Sequence, residues 1–164
     1  MKKIGFIGMG NMAGAIAGGI IKSGFVEGEN VYAFDIDNDK LTKMHTDFSI
    51  NVCTSEKELV AMADIVIIAV KPNVVEDVVD STRHLTIMPN TPALVMNGMT
   101  LFEQENTLTA DELNYAVEMF SSIGEVVILP SYQMKAGGSI SGCGPAFVYM
   151  FIEAMADGGV RLGL

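Results

Sequence analysis

Metal-binding side chains are scarce in this chain. Its 164 residues hold two histidines and two cysteines, and none of them falls at a ligand spacing used by zinc or cluster sites. Cys53 and Cys143 lie far apart, and the start does not read as a secretory signal, because Gly8, Gly10 and Asn11 interrupt its apolar run. Reduced thiols in a cytoplasmic protein are expected. Positive charge is scarce too: ten Lys and Arg stand against 20 Asp and Glu, a net charge of −10. That surface disfavours nucleic acid and anionic membrane as partners. Backbone amides at one helix end can still hold a phosphate locally. No apolar run reads as long enough to span a bilayer. There is no internal repeat and no low-complexity stretch. The twelve methionines are scattered and read as core filling. With 49% hydrophobic residues, the chain can build one cored domain and a small appendage.

What is present begins at the third residue. Ile4, Phe6 and Ile7 form a short apolar run of buried-strand type. Gly8-x-Gly10-x-x-Ala13 follows and opens a helical pattern. In a dinucleotide-binding turn the first glycine permits the tight bend and the second lets a pyrophosphate approach the backbone. The small third residue lets the helix pack close to the strand. Gly8, Gly10, Asn11 and Met12 are therefore candidate cofactor-binding residues, with the helix's first amides and its dipole facing the phosphate. The helix is predicted from about Met12 to Lys22, with Ala13, Ile16, Ala17 and Ile20 as a narrow buried face. Val31 to Asp35 reads as a second strand ending in an acid, 27 positions after Gly8. Asp35 is the candidate acceptor for the adenosine ribose hydroxyls. A carboxylate there repels a 2′-phosphate, which tilts the expectation toward NADH over NADPH. Lys40 and Lys43 are the only nearby cations.

Further on, Asp37 reads as a helix cap, and Ser55 and Thr109 each open a capping box with a glutamate three residues later. Asp64 to Val70 is a continuous β-branched strand, so Val70, Lys71 and Pro72 at its carboxyl end are placed near the cofactor. A short helix over 73–80 is followed almost at once by a strand at Leu85 to Met88, with no room for another strand and helix between. Met88-Pro89-Asn90-Thr91-Pro92 reads as a rigid loop without helix, whose Asn90 and Thr91 can hydrogen-bond a ligand. Strands are predicted at Gly98 to Phe102 and Glu125 to Leu129, with a helix behind Thr109.

The second glycine-rich stretch, Ala136 to Gly144, precedes Pro145, which reads as the first residue of a last helix running to about Asp157. The amides before it are a candidate anion site suited to a carboxylate, unless the stretch is only a flexible linker. Cys143 beside that helix start is a candidate nucleophile, though no base is near it in sequence. The last helix is apolar nearly all round, with Phe147, Val148, Met150, Phe151, Ile152 and Met155. A further domain or a partner subunit is expected to cover it.

Together these segments resemble the pyrroline-5-carboxylate reductases. The resembling pieces are Gly5 to Ala13, Ala69 to Pro72, Met88 to Val95 and Ile140 to Ala146. The proline-rich loop and the Ser-Gly-x-Gly-Pro-Ala turn are much more specific than the first motif. The resemblance implies a doubly wound, mainly parallel Rossmann-type α/β domain over 1–130, and the beginning of a helical dimerisation and substrate domain over 131–164. It implies reduction of 1-pyrroline-5-carboxylate to L-proline by hydride transfer from NADPH or NADH, the last step of proline biosynthesis. Val70, Lys71, Pro72, Met88, Pro89 and Asn90 would lie around the nicotinamide. Ser141, Gly142, Cys143 and Gly144 would bind the substrate carboxylate. No residue is assigned an acid–base role, and no metal is expected. A homodimer or larger homo-oligomer would form through the C-terminal helices. The chain departs from the family in lacking a strand and helix between Asp80 and Ser81. It also lacks the long helical continuation with its Ser-Pro-Gly-Gly-Thr-Thr segment, and it has Cys143 where serine is frequent. Weak dinucleotide binding, with poor turnover or none, is the expectation for this chain alone. The alternatives are a non-catalytic dinucleotide-binding fragment and a β-hydroxyacid-type dehydrogenase, whose catalytic lysine this chain does not supply.

Overall fold

The computed structural model describes residues 2–69 and 83–164. The helix expected over 73–80 and the candidates Val70, Lys71 and Pro72 lie outside the described residues.

The first half winds strand and helix alternately. β1 (Ile4–Ile7), α1 (Asn11–Lys22), β2 (Val31–Phe34), α2 (Asn38–Phe48), β3 (Asn51–Val52), α3 (Glu56–Met62) and β4 (Ile65–Ile68) follow in order. The strands are all parallel, ordered β3-β2-β1-β4, with Ile4 in register with Val31 on one side and Ile65 on the other. Parallel pairing needs crossover helices, and these supply them. Ile4 and Phe6 are fully buried, as a strand covered on both faces requires.

α1 is buried more widely than its predicted face. Ala15, Gly18 and Gly19 join Ala13, Ile16, Ala17 and Ile20 in the interior. Close packing explains the small residues: a Cβ on Gly19 would stand 2.8 Å from Ile123 Cγ2 and 3.2 Å from the Ala93 carbonyl oxygen. The helix stops at Ser23, and Gly24 follows at a φ of +76°, a left-handed conformation that suits glycine.

The second half adds β5 (Ile87–Met88), a 3₁₀ turn (Thr91–Val95), β6 (Gly98–Glu103), α4 (Ala110–Ser121), β7 (Gly124–Leu129) and α5 (Ser131–Arg161). β6 pairs antiparallel with β5 and parallel with β7. The Rossmann-type fold is present, but the described residues form two sheets rather than one. One hydrophobic core still joins them. Phe102, Phe120 and Ile123 of the second half belong to the same buried cluster as Phe6, Ile16 and Ile20.

Four local expectations need correction. Ser55 caps α3 by accepting from the Glu58 amide, but the Glu58 carboxylate turns to the Thr54 amide and hydroxyl, both at 2.7 Å, instead of closing the box. The proline-rich loop is not free of helix, because the 3₁₀ turn starts at Thr91 and takes Pro92 in its first turn, where no N–H is needed. The last helix starts at Ser131, not at Pro145, and runs for 31 residues. Glu105 fixes that start, its Oε2 accepting from the Ser131 amide at 2.8 Å and hydroxyl at 2.7 Å. The fourth correction follows: α5 is long and apolar enough to cross a membrane, by length and composition alone. Reading glycine and proline as helix breaks had cut that run short.

The capping box at Thr109 is complete, and its glutamate has a second task. Glu112 accepts from the Thr109 amide at 2.9 Å and pairs with Arg83, whose Nη2 lies 2.7 Å from Oε1. The Arg83 guanidinium first, and the Thr109 amide second, bring its carboxyl from an ordinary 4.5 down to about 2. A carboxylate whose folded pKa is depressed gives stability that is present above its unfolded pKa and lost as pH falls through the folded value. Glu112→Gln should therefore lower the melting temperature at pH 7, and the gap from the unaltered chain should narrow as pH falls from about 4.5 toward about 2. Thermal melts across that range check it; a gap independent of pH would contradict it.

Candidate active site

The first component is the turn between β1 and α1. Gly8 has a φ of +91°, a bend that glycine alone takes without strain. Its amide donates to the Phe34 carbonyl at 2.8 Å, tying the turn to the end of β2. Gly10 has ordinary dihedrals, and a Cβ on it would meet nothing within 4 Å. The fold itself does not require glycine there, whereas a pyrophosphate against the backbone would. No side chain caps α1, and its first turn has no acidic residue, so its leading amides and positive dipole end are left for an anion. Asn11 is exposed, and Met12 turns its half-buried side chain against the core, so each would meet a phosphate through its amide.

Asp35 stands beside this turn. One carboxylate oxygen accepts from the Met9 amide at 2.5 Å and the other from the Asp37 amide at 2.8 Å. These bonds aim the group at the mouth of the turn and leave further lone pairs for ribose hydroxyls. Lys40 is held by Asp37, Nζ to Oδ2 at 3.0 Å, and its pKa is raised by Asp37 first and by Asp35 in a lesser degree. This nearby cation is thus already committed to a carboxylate. The donor set fits a dinucleotide.

The second component lies at the other sheet. α5 crosses β6 and β7 closely: a Cβ on Gly137 would stand 2.8 Å from both Leu101 Cδ1 and Leu129 Cδ1, and one on Gly138 would collide with Met88 Sδ. The glycines read as a flexible or anion-binding stretch are helical; Gly137 and Gly138 serve contact with the sheet, whereas a Cβ on Gly142 or Gly144 would meet nothing within 4 Å. An open cavity of about 610 Å³ lies along this seam, lined on the α5 side by Gly137, Ile140, Ser141, Gly144, Pro145 and Val148. That spacing is one helix face. Gly142 and Cys143, expected beside Ser141 and Gly144, are exposed and do not line the cavity. Cys143 also loses the helix start that would have activated it. Both thiols are free, and burial pushes the Cys53 thiol above its usual range.

Ser141 Oγ is enclosed and has no hydrogen-bond partner among the described residues. An enclosed hydroxyl without a partner is costly and calls for a cause. Asn90 is one of two buried polar residues among those described, 6% exposed. Its Oδ1 accepts from the Met99 amide at 2.8 Å, and its Nδ2 donates to the Ser141 carbonyl at 2.9 Å. Asn90 therefore spends its amide within the protein, instead of presenting all of it to a ligand.

The structure thus gathers the candidates into two groups. Gly8, Gly10, Asn11 and Met12 meet Asp35 through the Met9 amide. Met88 and Asn90 meet α5 at Gly138 and Ser141. Ile140, Met99, Leu101 and Tyr149 also line the cavity and were not foreseen. For Ile140 the signal was available in the spacing 137, 140, 141, 144, 148 of a helix through the glycines; Met99 and Leu101 come from β6, which no local pattern links to that helix.

Comparison with known proteins now bears on this arrangement. Residues 3–87 match the family model described as NADP oxidoreductase coenzyme F420-dependent, and residues 131–164 match that of pyrroline-5-carboxylate reductase dimerisation. The pyrroline-5-carboxylate reductase of Escherichia coli (strain K12) is 33% identical over 193 residues, covering 99% of this chain and 72% of that protein. The enzyme of that name from Methanosarcina acetivorans gives the same identity and coverage. An alignment of 193 positions against 164 residues carries gaps in this chain. A crystal structure of the Plasmodium falciparum pyrroline carboxylate reductase with NADP bound superposes with a TM-score of 0.88 at 28% identity, over 99% of this chain and 71% of that one. From the glycine turn to the end of α5, the chain belongs to the pyrroline-5-carboxylate reductase family.

Proposed function

We propose that the chain is an NAD(P)H-dependent oxidoreductase that reduces 1-pyrroline-5-carboxylate to L-proline in proline biosynthesis. The observation that carries this reading is the match along 99% of the chain, at 33% identity, to enzymes named for that reaction. On this reading residues 1–130 bind the dinucleotide, residues 131–164 begin the substrate and dimerisation part, and the enzyme works in the cytoplasm.

The reaction needs little from acid–base side chains. When bound, the reduced nicotinamide supplies the hydride that the C=N carbon of the protonated pyrroline ring accepts. The chain's own work is to hold two ligands in line and keep water away. The leading amides of α1 neutralise the pyrophosphate. Asp35 accepts from the ribose hydroxyls and favours NADH over NADPH. The apolar cavity along α5 takes the ring, and Ser141 Oγ gives it one directed hydrogen bond. An enclosed hydroxyl without a protein partner supports that role. The exposed apolar side chains of α5, among them Phe147, Phe151 and Met155, pack against a second copy of the chain. The dimerisation match over 131–164 supports a protein partner over lipid for this helix.

Three measurements follow. Purified chain should oxidise NADH only when pyrroline-5-carboxylate is present, with L-proline as product; dinucleotide binding without any proline formed would instead mark a non-catalytic module. Asp35→Ser should move the ratio of kcat/KM for NADH over NADPH toward NADPH by about tenfold, and an unmoved ratio would remove Asp35 from the ribose role. Ser141→Ala should raise KM for pyrroline-5-carboxylate by about tenfold without lowering the melting temperature, because its hydroxyl has no partner to lose. A lower melting temperature with unchanged KM would make it a structural hydroxyl.

A further inference from the structure

Pro145 sits inside α5, not at its start. A proline has no N–H, so the carbonyl four residues earlier loses its helical partner, and the ring crowds that same carbonyl. Four residues before Pro145 is Ser141. The Ser141 carbonyl is the one that Asn90 Nδ2 reaches, at 2.9 Å. A carbonyl freed in this way needs another donor, from water or from the protein. Ser141 is only partly exposed and lines the cavity, so a protein donor takes that place.

The donor is itself anchored. Asn90 Oδ1 accepts from the Met99 amide in β6 at 2.8 Å. One buried amide group thus bridges β6 and the middle of α5, which come from positions 9 and 51 residues away. The task requires a donor and an acceptor on one short planar group. Aspartate keeps the acceptor and would turn a negative oxygen on the Ser141 carbonyl. Leucine keeps the volume and neither bond.

We propose that Pro145 and Asn90 form one positioning device: the proline frees the Ser141 carbonyl, and the asparagine takes it, fixing the Ser141 segment of α5 against the proline-rich loop and β6. A helix built through Gly137, Gly138, Gly142 and Gly144 is intrinsically weak. A rigid point at Ser141 therefore sets where its hydroxyl stands. Asn90 acts through Ser141 and is a positioning residue, not a catalytic one. What the device serves rests on the proposed reductase reading; the bond itself does not.

The test uses the full chain and four proteins: unaltered, Asn90→Ala, Pro145→Ala and the double variant. In Pro145→Ala the new backbone N–H at position 145 can take the Ser141 carbonyl, so removing Asn90 should cost less there. The fall in melting temperature caused by Asn90→Ala should be clearly smaller in the Pro145→Ala background than in the unaltered chain. Equal falls would overturn the device. If Asn90→Ala does not fold, Pro145→Ala alone decides. Its Asn90 side-chain amide protons should move in the NMR spectrum and exchange faster with solvent, and unchanged resonances would overturn the proposal. For positioning, Asn90→Ala should weaken L-proline binding by about tenfold while changing the NADH dissociation constant by less than about twofold. Equal loss for both ligands, or none for proline, would make Asn90 a stability residue only. An unaltered chain that binds no proline would refute the reductase reading, while the cycle of melting temperatures still judges the device.

Discussion

The close packing of α1 is the constraint on which the rest depends. Its alanines and glycines let the helix lie against the parallel sheet on one side and against Ala93 and Ile123 of the second half on another. With two sheets and no strand joining them among the described residues, α1 is the shared wall that makes one core of them. A Cβ on Gly19 would press on a backbone oxygen and a branched side chain together, and neither yields easily. The same helix presents its uncapped amino end to the glycine turn. The requirement that joins the sheets therefore also holds the candidate anion site in place.

α5 plays the corresponding part at the other end. Gly137 and Gly138 let it lie directly on β5, β6 and β7, and Glu105 fixes where it begins. The cost is a helix rich in residues that favour the unfolded chain. Contact with the sheet, and the amide of Asn90, offset that cost locally. Beyond Pro145 its apolar residues are exposed, which is the state expected of a surface that a second chain covers.

Much of the first half was legible from residues alone. β1, α1, β2 and the acid at Asp35 follow from one motif whose parts have fixed mechanical roles. Both caps, at Ser55 and Thr109, were readable from local spacing, but where the glutamate turns was not: Glu112 closes the Thr109 box, while Glu58 bonds Thr54. The second half was less so. Glycine and proline are read as breaks because their local preferences oppose helix, and in α5 tertiary contact overrides both. The sequence shows Gly138 but not Met88 beneath it, and it shows Asn90 but not the carbonyl that Pro145 frees 51 residues later. The Met99 amide and the Ser141 carbonyl that Asn90 joins are invisible in the local pattern that marks it as a ligand contact. The division into two sheets depends on which strands find neighbours, a long-range property that no local pattern carries.

On the proposed reading, the turn between β1 and α1 holds a dinucleotide on its backbone amides, with Asp35 beside it. Titrating isotope-labelled chain with NADH and following backbone amide resonances tests this most directly. Saturable shifts are expected to be largest at Gly8 to Ala13, with Asp35 and Asp37 next. Shifts confined to other regions, with the turn unmoved at saturation, would contradict it.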